Sequence, residues 1–286
     1  MLAVVLATVA VVPASAGAVV VGIGDNSPAF LTDPRFIALG IREARLIVPW
    51  NTGVTRSGVW RSAIAAWLRA AATDRVIPLV SFAGTGPAPP SLAAYTQAVR
   101  RFVAEFPTVQ RFTAWNEPDW VYRPALSRHP RLAASYYNAL SAACPTCLVL
   151  AGDLYLPGPQ LAPWLRQYAA ALHKRPVAWA LHDYYDVHHR STAQLRVMLR
   201  YTSGQIWLDE TGGVETRRNW HLATPAQAAA NEQFLFSTAS RYPRVSRIYH
   251  YQWQVTTTGG WDSALIGPDG QVRPAYNVLA RFLHLT

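Results

Sequence analysis

Glu117 and Glu210 are 93 positions apart in the chain, yet each directly follows a short apolar, β-rich run: Arg111-Phe-Thr-Ala-Trp115-Asn-Glu and Gln205-Ile-Trp-Leu-Asp209-Glu. Two carboxyl groups presented across one opening can do a defined piece of chemistry. One protonates the oxygen of a departing group while the other attacks the opposite face of the reacting carbon or activates water there, which is what cleavage of a glycosidic bond requires. The pair is useful only if the chain brings strands that far apart in sequence to one mouth, so the elements between them decide the question.

Eight apolar runs read as strands: 19–24, 45–50, 76–83, 111–115, 148–154, 179–185, 205–209 and 247–253. Stretches with helical spacing lie between them, at 57–72, 92–106, 130–143, 161–173, 192–201 and 225–242, with a last one over 276–285 and a short first crossover near 34–40. Successive runs start 26 to 42 residues apart, about one strand plus a returning helix. Strict alternation calls for a parallel sheet with helices outside, and eight units predict a closed (β/α)8 barrel, one domain over residues 19–286. Gly22-Ile-Gly24-Asp-Asn-Ser27 lacks the third glycine of a dinucleotide-binding turn, so no such cofactor is expected.

Chemistry in such barrels sits where strands end. The runs end in Asp25-Asn26, Trp50-Asn51, Asn116-Glu117-Pro118-Asp119-Trp120, Asp153, His182-Asp183-Tyr184-Tyr185-Asp186, Asp209-Glu210-Thr211 and Gln252-Trp253-Gln254. Carboxylates clustered in a dry interior would each cost several kcal/mol, so these ends imply a cleft.

At these residues the chain resembles clan A of the retaining glycoside hydrolases, whose acid and nucleophile lie at the ends of strands four and seven of a (β/α)8 barrel. Asn116-Glu117-Pro118 matches the clan's Asn-Glu-Pro signature, and Leu208-Asp209-Glu210-Thr211-Gly212 is similar to its nucleophile strand. His182-x-Tyr184, Trp253, and the segment from Gly260-Trp261-Asp262 through Arg273-Pro274-Ala275-Tyr276 are similar to features of families 5 and 39. The resemblance implies Glu117 as acid/base, protonated at rest, and Glu210 as charged nucleophile about 5 Å away. It further implies that Asn116 holds the sugar 2-hydroxyl, that Tyr184 and Arg45 bond Glu210, that His182 shares Tyr184's side of strand six, and that Trp253 forms the floor under the reacting sugar. Arg45 fits less well, since it begins its run.

Trp50, Trp120 and Trp261 also stand at strand ends or in the loops after them, where aromatic faces would line a sugar groove. Trp60, Trp67 and Trp164 belong to helices and packing. Glu43, Glu105, Glu215 and Glu232 read as solvated acids. The 182–189 segment, with His182, Asp183, Asp186, His188 and His189, raises a metal-dependent hydrolase as an alternative. No His-x-His on strand one and no histidine on strand five completes such a site, so neither metal nor cofactor is expected. A catalytically silent carbohydrate-binding barrel is the other alternative.

The 286 residues are 51% hydrophobic, 12% aromatic and 15% charged, which suits a folded domain and excludes disorder. The net charge of +10 comes from 26 basic and 16 acidic residues, and every basic residue but Lys174 is arginine. The arginines are scattered without a stripe, so a nucleic-acid partner is not expected. Met1–Val12 is apolar apart from Thr8 and is followed by small residues through Ala18, the pattern of a secretory signal at 1–18; it lacks a basic n-region, and a first buried strand is the alternative. The run is too short to span a membrane, and no stable membrane insertion is expected. Cys144 and Cys147 read as a small structural disulfide closing a helix-to-strand loop. The expectation is therefore a secreted monomer acting on a poly- or oligosaccharide.

Overall fold

The computed structural model describes residues 18–55, 58–120, 124–217, 220–256 and 260–284; the signal segment expected at 1–18 lies outside them except for its last residue. Eight strands close into a barrel: β1 (Val20–Gly24), β2 (Glu43–Pro49), β3 (Ile77–Ala83), β4 (Arg111–Thr113), β5 (Leu148–Leu154), β6 (Ala178–Leu181), β7 (Gln205–Thr211) and β8 (Val245–Tyr251). Every neighbouring pair is parallel, and β8 returns to β1 with Val20 opposite Arg247. This is the (β/α)8 barrel that the alternation calls for.

The crossovers are α1 (Pro34–Ala38), α2 (Gly58–Thr73), α3 (Leu92–Glu105), α4 (Pro124–Ser127), α5 (Pro130–Ala143), α6 (Gly158–Ala170), α7 (Tyr184–His189), α8 (Ala193–Tyr201) and α9 (Pro225–Arg241), and α10 (Pro274–His284) closes the ring. Local chemistry sets several of their starts. Pro130 and Pro225 occupy the first turns of α5 and α9, where no backbone donor is missed. Thr224 and Gln227 form a capping box before α9. Cys144 and Cys147 are joined by a disulfide that closes the turn between α5 and β5.

The barrel interior is layered. At the amino-terminal end Glu43 accepts from Tyr249 at 2.5 Å and pairs with Arg111 at 2.8 Å and Arg247 at 3.0 Å, and the Arg247 guanidinium lies 4.1 Å over the Trp207 ring. Glu43 is thus a buried linchpin, not a solvated acid. Above it Leu79, Leu150, Trp207 and Tyr249 fill the middle, and Gly22 leaves the room Tyr249 needs, since a Cβ there would lie 2.5 Å from that ring. The third layer, nearest the carboxyl ends of the strands, is polar: Arg45, Ser81, Thr113, Asp153 and Asp209 are all buried.

Two bulges build that layer. Between Gly152 and Leu154 the β5–β6 register slips, with Gly152 at φ 101° and Asp153 at φ 69°, so the extra residue's carboxylate faces the barrel axis. On β7 three steps, Leu208 to Thr211, oppose two on β8, Ile248 to His250. The added residue lets consecutive side chains, Asp209 and Glu210, both reach Arg45, which strict alternation would forbid.

Some boundaries differ from the sequence reading. β2 starts two residues earlier, placing Arg45 inside the strand; β4 stops at Thr113; β6 stops at Leu181, and Tyr184 belongs to α7. Glu232 and Glu215 are also buried: Glu232 accepts from the Gly213 N–H and contacts His250 at 2.9 Å, while Glu215 lies 3.5 Å from Arg273. Only Glu105 keeps the expected half-exposed pairing, with Arg61 at 3.2 Å.

Candidate active site

Glu117 and Glu210 meet at the mouth of the barrel. A ligand atom from each, with one from His182, all lie within 4.8 Å of one another. Glu210 stays in β7, whereas Glu117 stands four residues past β4 in a bend, with φ 49°. That left-handed conformation, rare for a side-chain-bearing residue, lets the Glu117 N–H bond the Asp153 carbonyl at 3.1 Å while its carboxyl group turns to the opening. The Asn-Glu-Pro segment starts no helix.

Arg45 organises what lies beneath. Its Nη1 donates to Glu210 Oε2 at 2.5 Å, and its Nη2 donates to Asn116 Oδ1 at 2.8 Å, Asp153 Oδ1 at 3.1 Å and Ser81 Oγ at 3.2 Å. Its Nε is 3.4 Å from Asp209 Oδ2. Burial alone would depress the Arg45 pKa, but Asp153, Glu210 and Asp209 outweigh it and hold it above the ordinary value. Tyr184 supplies the second donor to Glu210, its hydroxyl lying 3.2 Å from Oε1. Asn116, having spent its carbonyl on Arg45, keeps its amide donor for another partner.

His182 links the two acids. Nδ1 is 3.1 Å from Glu117 Oε1 and Nε2 is 2.6 Å from Asp153 Oδ1. Burial pushes its pKa down, yet Glu210, Asp153 and Glu117 around it raise it well above 6.5, so the ring is an imidazolium with both N–H groups donating. Asp153 also takes hydroxyl bonds from Ser81 and Thr113, each 2.6 Å from Oδ2. Despite burial, Arg45 and His182 hold the Asp153 pKa well below the carboxylate range. Burial and the neighbouring Asp153 charge push Asp209 the other way, so Asp209 keeps the proton of this pair. Asp119, raised to about 7 by burial, accepts the backbone N–H groups of Tyr155 and Leu156 and ties the loop after Glu117 to the loop after β5.

Aromatic rings form one wall of the opening. Trp120 contacts Tyr155 (6.2 Å between centroids), Tyr155 contacts Tyr184 (6.4 Å), and Tyr184 meets Trp261 edge-on (4.6 Å). They border a cleft of about 650 Å³ that also takes in His188, His189 and Arg217. Glu117 and Glu210 do not line this cleft themselves; it reaches them through Tyr184, whose hydroxyl bonds Glu210.

Trp50 and Trp253 do not join this wall. Trp50 stacks on Tyr95 of α3 at 6.5 Å, and it is not among the residues lining the aromatic cleft. Trp253 is 1% exposed, its indole N–H donating to Asp33 at 3.1 Å and its ring packed against Phe36 and Tyr276. It is a core residue and no sugar floor. The strand ends at Tyr251, and the chain then turns Trp253 inward beneath the first crossover. Half-buried Tyr251 stands at the mouth instead, its pKa raised by burial and then by the Glu210 and Asp25 charges. The sequence reading missed Tyr251 by extending the eighth strand two residues too far.

Among the described residues, the 182–189 segment brings only His182 to a cluster of possible metal donors. Asp186 accepts from the Ala193 and Leu195 N–H groups at the start of α8, Asp183 is buried and raised to about 7 by that burial, and His188 and His189 face the aromatic cleft. The donor sets that do cluster are Glu117, His182 and Glu210, and Asp153, His182 and Asp209. The Arg45 guanidinium bonds Glu210 and Asp153 and lies within 3.4 Å of Asp209, so a fixed cation already holds the place that a metal would need.

No protein-family model matches the chain, and no curated protein matches it in sequence. Solved structures do match. A family 39 glycoside hydrolase from Bacteroides cellulosilyticus superposes with a TM-score of 0.65 at 15% identity, over 93% of this chain and 63% of that one. A GH5_18 protein from Streptomyces cattleya, in complex with GlcNAc, gives 0.70 at 16% identity over 93% and 80%. A GH128 endo-β-1,3-glucanase from Amycolatopsis mediterranei, in complex with laminarihexaose, gives 0.60 at 14% identity over 92% and 98%. The chain spans 63% of the family 39 protein and 66% of a second GH39 enzyme, from Xanthomonas axonopodis. At these identities the likeness establishes the fold, and the chemistry must be argued from the site.

Proposed function

We propose that the protein is a retaining glycoside hydrolase acting on a poly- or oligosaccharide by double displacement. The observation that carries this reading is the opposed pair of Glu117 and Glu210, with oxygens within 4.8 Å and Arg45 and Tyr184 fixed on Glu210. Separations near 5 Å leave no room for a water between sugar and carboxylate, as inversion at about 6.5–9.5 Å requires, and favour direct attack. Glu210 attacks the anomeric carbon while Glu117 protonates the leaving oxygen. Water, deprotonated by Glu117, then releases the sugar from Glu210. The free amide of Asn116 is available to the sugar 2-hydroxyl, and Tyr251 offers an aromatic face to the reacting ring.

Resemblance at Asn116-Glu117-Pro118 and the kinship in fold with glycoside hydrolases support the same reading. The silent-barrel alternative loses ground because both carboxyl groups are present and positioned. The Cys144–Cys147 disulfide supports an exported protein, and no helix among the described residues is long and apolar enough to cross a membrane. The test is a pair of variants on a panel of aryl glycosides. Glu210→Ala should lose turnover and regain part of it with azide, which substitutes for the missing nucleophile. Glu117→Ala should spare substrates with activated leaving groups. Parent-like rates in both variants would overturn the assignment.

A further inference from the structure

The loop after β7 carries a short ribbon, Thr216–Arg217 paired with Trp220–His221, that brings one cation to the cleft. Its backbone is pinned to the loop after β8: the Glu215 and Thr216 N–H groups donate to the Asp262 carbonyl at 2.8 and 3.2 Å, and the Asp262 N–H returns a bond to Thr216 at 2.8 Å. The Arg217 guanidinium consequently sits between two rings from different loops, 5.8 Å from the Tyr155 centroid and 6.0 Å from that of Trp261. Both rings line the cleft, and so does Arg217.

Among the described residues, no carboxylate lies within ion-pair distance of Arg217 and no acceptor takes its N–H groups. The two acids tied to the ribbon are already engaged: Arg273 holds Asp262 through two bonds, at 2.6 and 2.8 Å, and lies 3.5 Å from Glu215. No aspartate or glutamate appears among the residues that line the cleft. By contrast, Arg35 is held by Asp33, Arg244 by Gly204, Leu199 and Thr202, and Arg247 by Glu43. His188, whose pKa is lowered by burial and then by His189, also lines the cleft.

A guanidinium offers five N–H donors in a fork suited to a carboxylate or sulfate, and a saccharide ring offers an apolar face to aromatic walls. We propose that the cleft selects an acidic saccharide, with Arg217 gripping an anionic substituent, a uronate carboxylate or a sulfate ester, on a unit seated against the aromatic wall beside it. This rests on the reading of the mouth as a saccharide site and adds the class of substrate to it. Neutral sugars would leave Arg217 desolvated without an acceptor, so the discrimination comes from the neutral ligand's penalty as much as from the acidic ligand's gain.

The test is calorimetric titration of Glu210→Gln protein with hexuronate trisaccharides of gluco, galacto and manno configuration, their neutral counterparts and their 6-O-sulfated counterparts. At least one acidic series should bind tenfold or more tightly than its neutral partner, with the advantage shrinking as salt rises, and the stronger of the uronate and sulfate arms names the group recognised. Adding Arg217→Gln should cut that advantage below twofold, while Arg217→Lys should keep part of it; thermal unfolding checks that both variants fold. Equal or better binding of every neutral partner, an acidic advantage that survives Arg217→Gln, or no binding of any trisaccharide would each overturn the proposal. Turnover of neutral glycosides by the parent without acidic preference would sink this inference alone. Acidic binding that depends on Arg217, with no turnover in the parent, would sink the hydrolase reading and leave this one standing.

Discussion

Replacing Arg45 with Met removes the cation around which the upper barrel is assembled while keeping an unbranched side chain of similar reach. The guanidinium is fully buried and serves Glu210, Asn116, Asp153 and Ser81, with Asp209 at 3.4 Å. Breaking a buried ion pair from one side costs about 3–5 kcal/mol, because the remaining charge is stranded. At about 2–4 °C per kcal/mol for a protein of this size, the unfolding midpoint should fall by roughly 6–20 °C. The loss should also depend on pH. In the parent, Arg45 and His182 overcome burial and depress Asp153, so its contribution is present above the unfolded carboxylate pKa of about 3.9 and is lost only in strong acid. Without Arg45, burial, the largest influence on Asp153, is opposed by His182 alone, and the expected outcome is a raised carboxyl, which destabilises progressively as pH climbs above about 4. The gap between variant and parent should therefore be smaller near about pH 4.5 than near about pH 8. On an aryl glycoside that the parent cleaves, the loss of about 2–5 kcal/mol at a buried charge pair corresponds to roughly 30- to 5,000-fold in kcat/KM. A midpoint within about 2 °C of the parent, or a gap that does not change with pH, would refute the placement of Arg45 as the organising cation.

Trp253→Ala should act on stability, by about 3–5 kcal/mol for a large buried aromatic, whereas Tyr251→Ala, at a half-buried ring, should lower the melt less and reduce kcat/KM; the opposite pattern in melts and kinetics would restore Trp253 as the sugar platform. Cys144→Ser should lower stability by only about 1–2 kcal/mol, since the closed loop is so short, and reductant should do the same to the parent without touching turnover, which differential scanning and an activity assay check together. Dialysis against a strong chelator should leave activity unaltered, because Arg45 occupies the centre of both carboxylate and histidine clusters; loss of activity restored by a divalent cation would revive the metal-dependent alternative.

The barrel was legible in the sequence because its signal is repeated eight times: each apolar run is bounded by turn residues, and small errors at one boundary do not disturb the order. The same redundancy does not protect single residues. Arg45 looked misplaced because the apolar run starts with it, while the strand starts at Glu43, a charged residue that buries itself among Arg111, Arg247 and Tyr249. Glu232 was hidden in the same way, since nothing local in α9 announces His250 as its partner across the chain. Trp253 misled because hydrophobicity continues past the point where the β ladder ends. Asp153 and Asp209 were visible as strand ends, but alternation gives no warning of the bulges that turn them toward Arg45.

Those bulges answer a difficulty that any pair of close acids creates. Glu117, Asp153, Asp209 and Glu210 converge on a space that holds, among the described residues, two cations, Arg45 and His182, and four anions there would repel one another strongly. The arrangement resolves this by unequal solvation and pairing: Asp153 collects hydroxyl and cationic donors and remains ionised, while Asp209, 3.4 Å from the Arg45 Nε and beside the Asp153 charge, retains its proton. The cations then have a standing anion in Asp153 whichever state the mouth is in. On the proposed cycle Glu210 loses its charge when it takes the sugar, and Arg45 and His182 are left facing Asp153 alone. The second step of that cycle falls to Glu117, bonded to His182 and the more exposed of the two mouth carboxyls, with those fixed cations beside it. On that proposed cycle the polar layer under the mouth does more than hold Glu210 in place, because its fixed charges flank the carboxyl group that would serve first as acid and then as base.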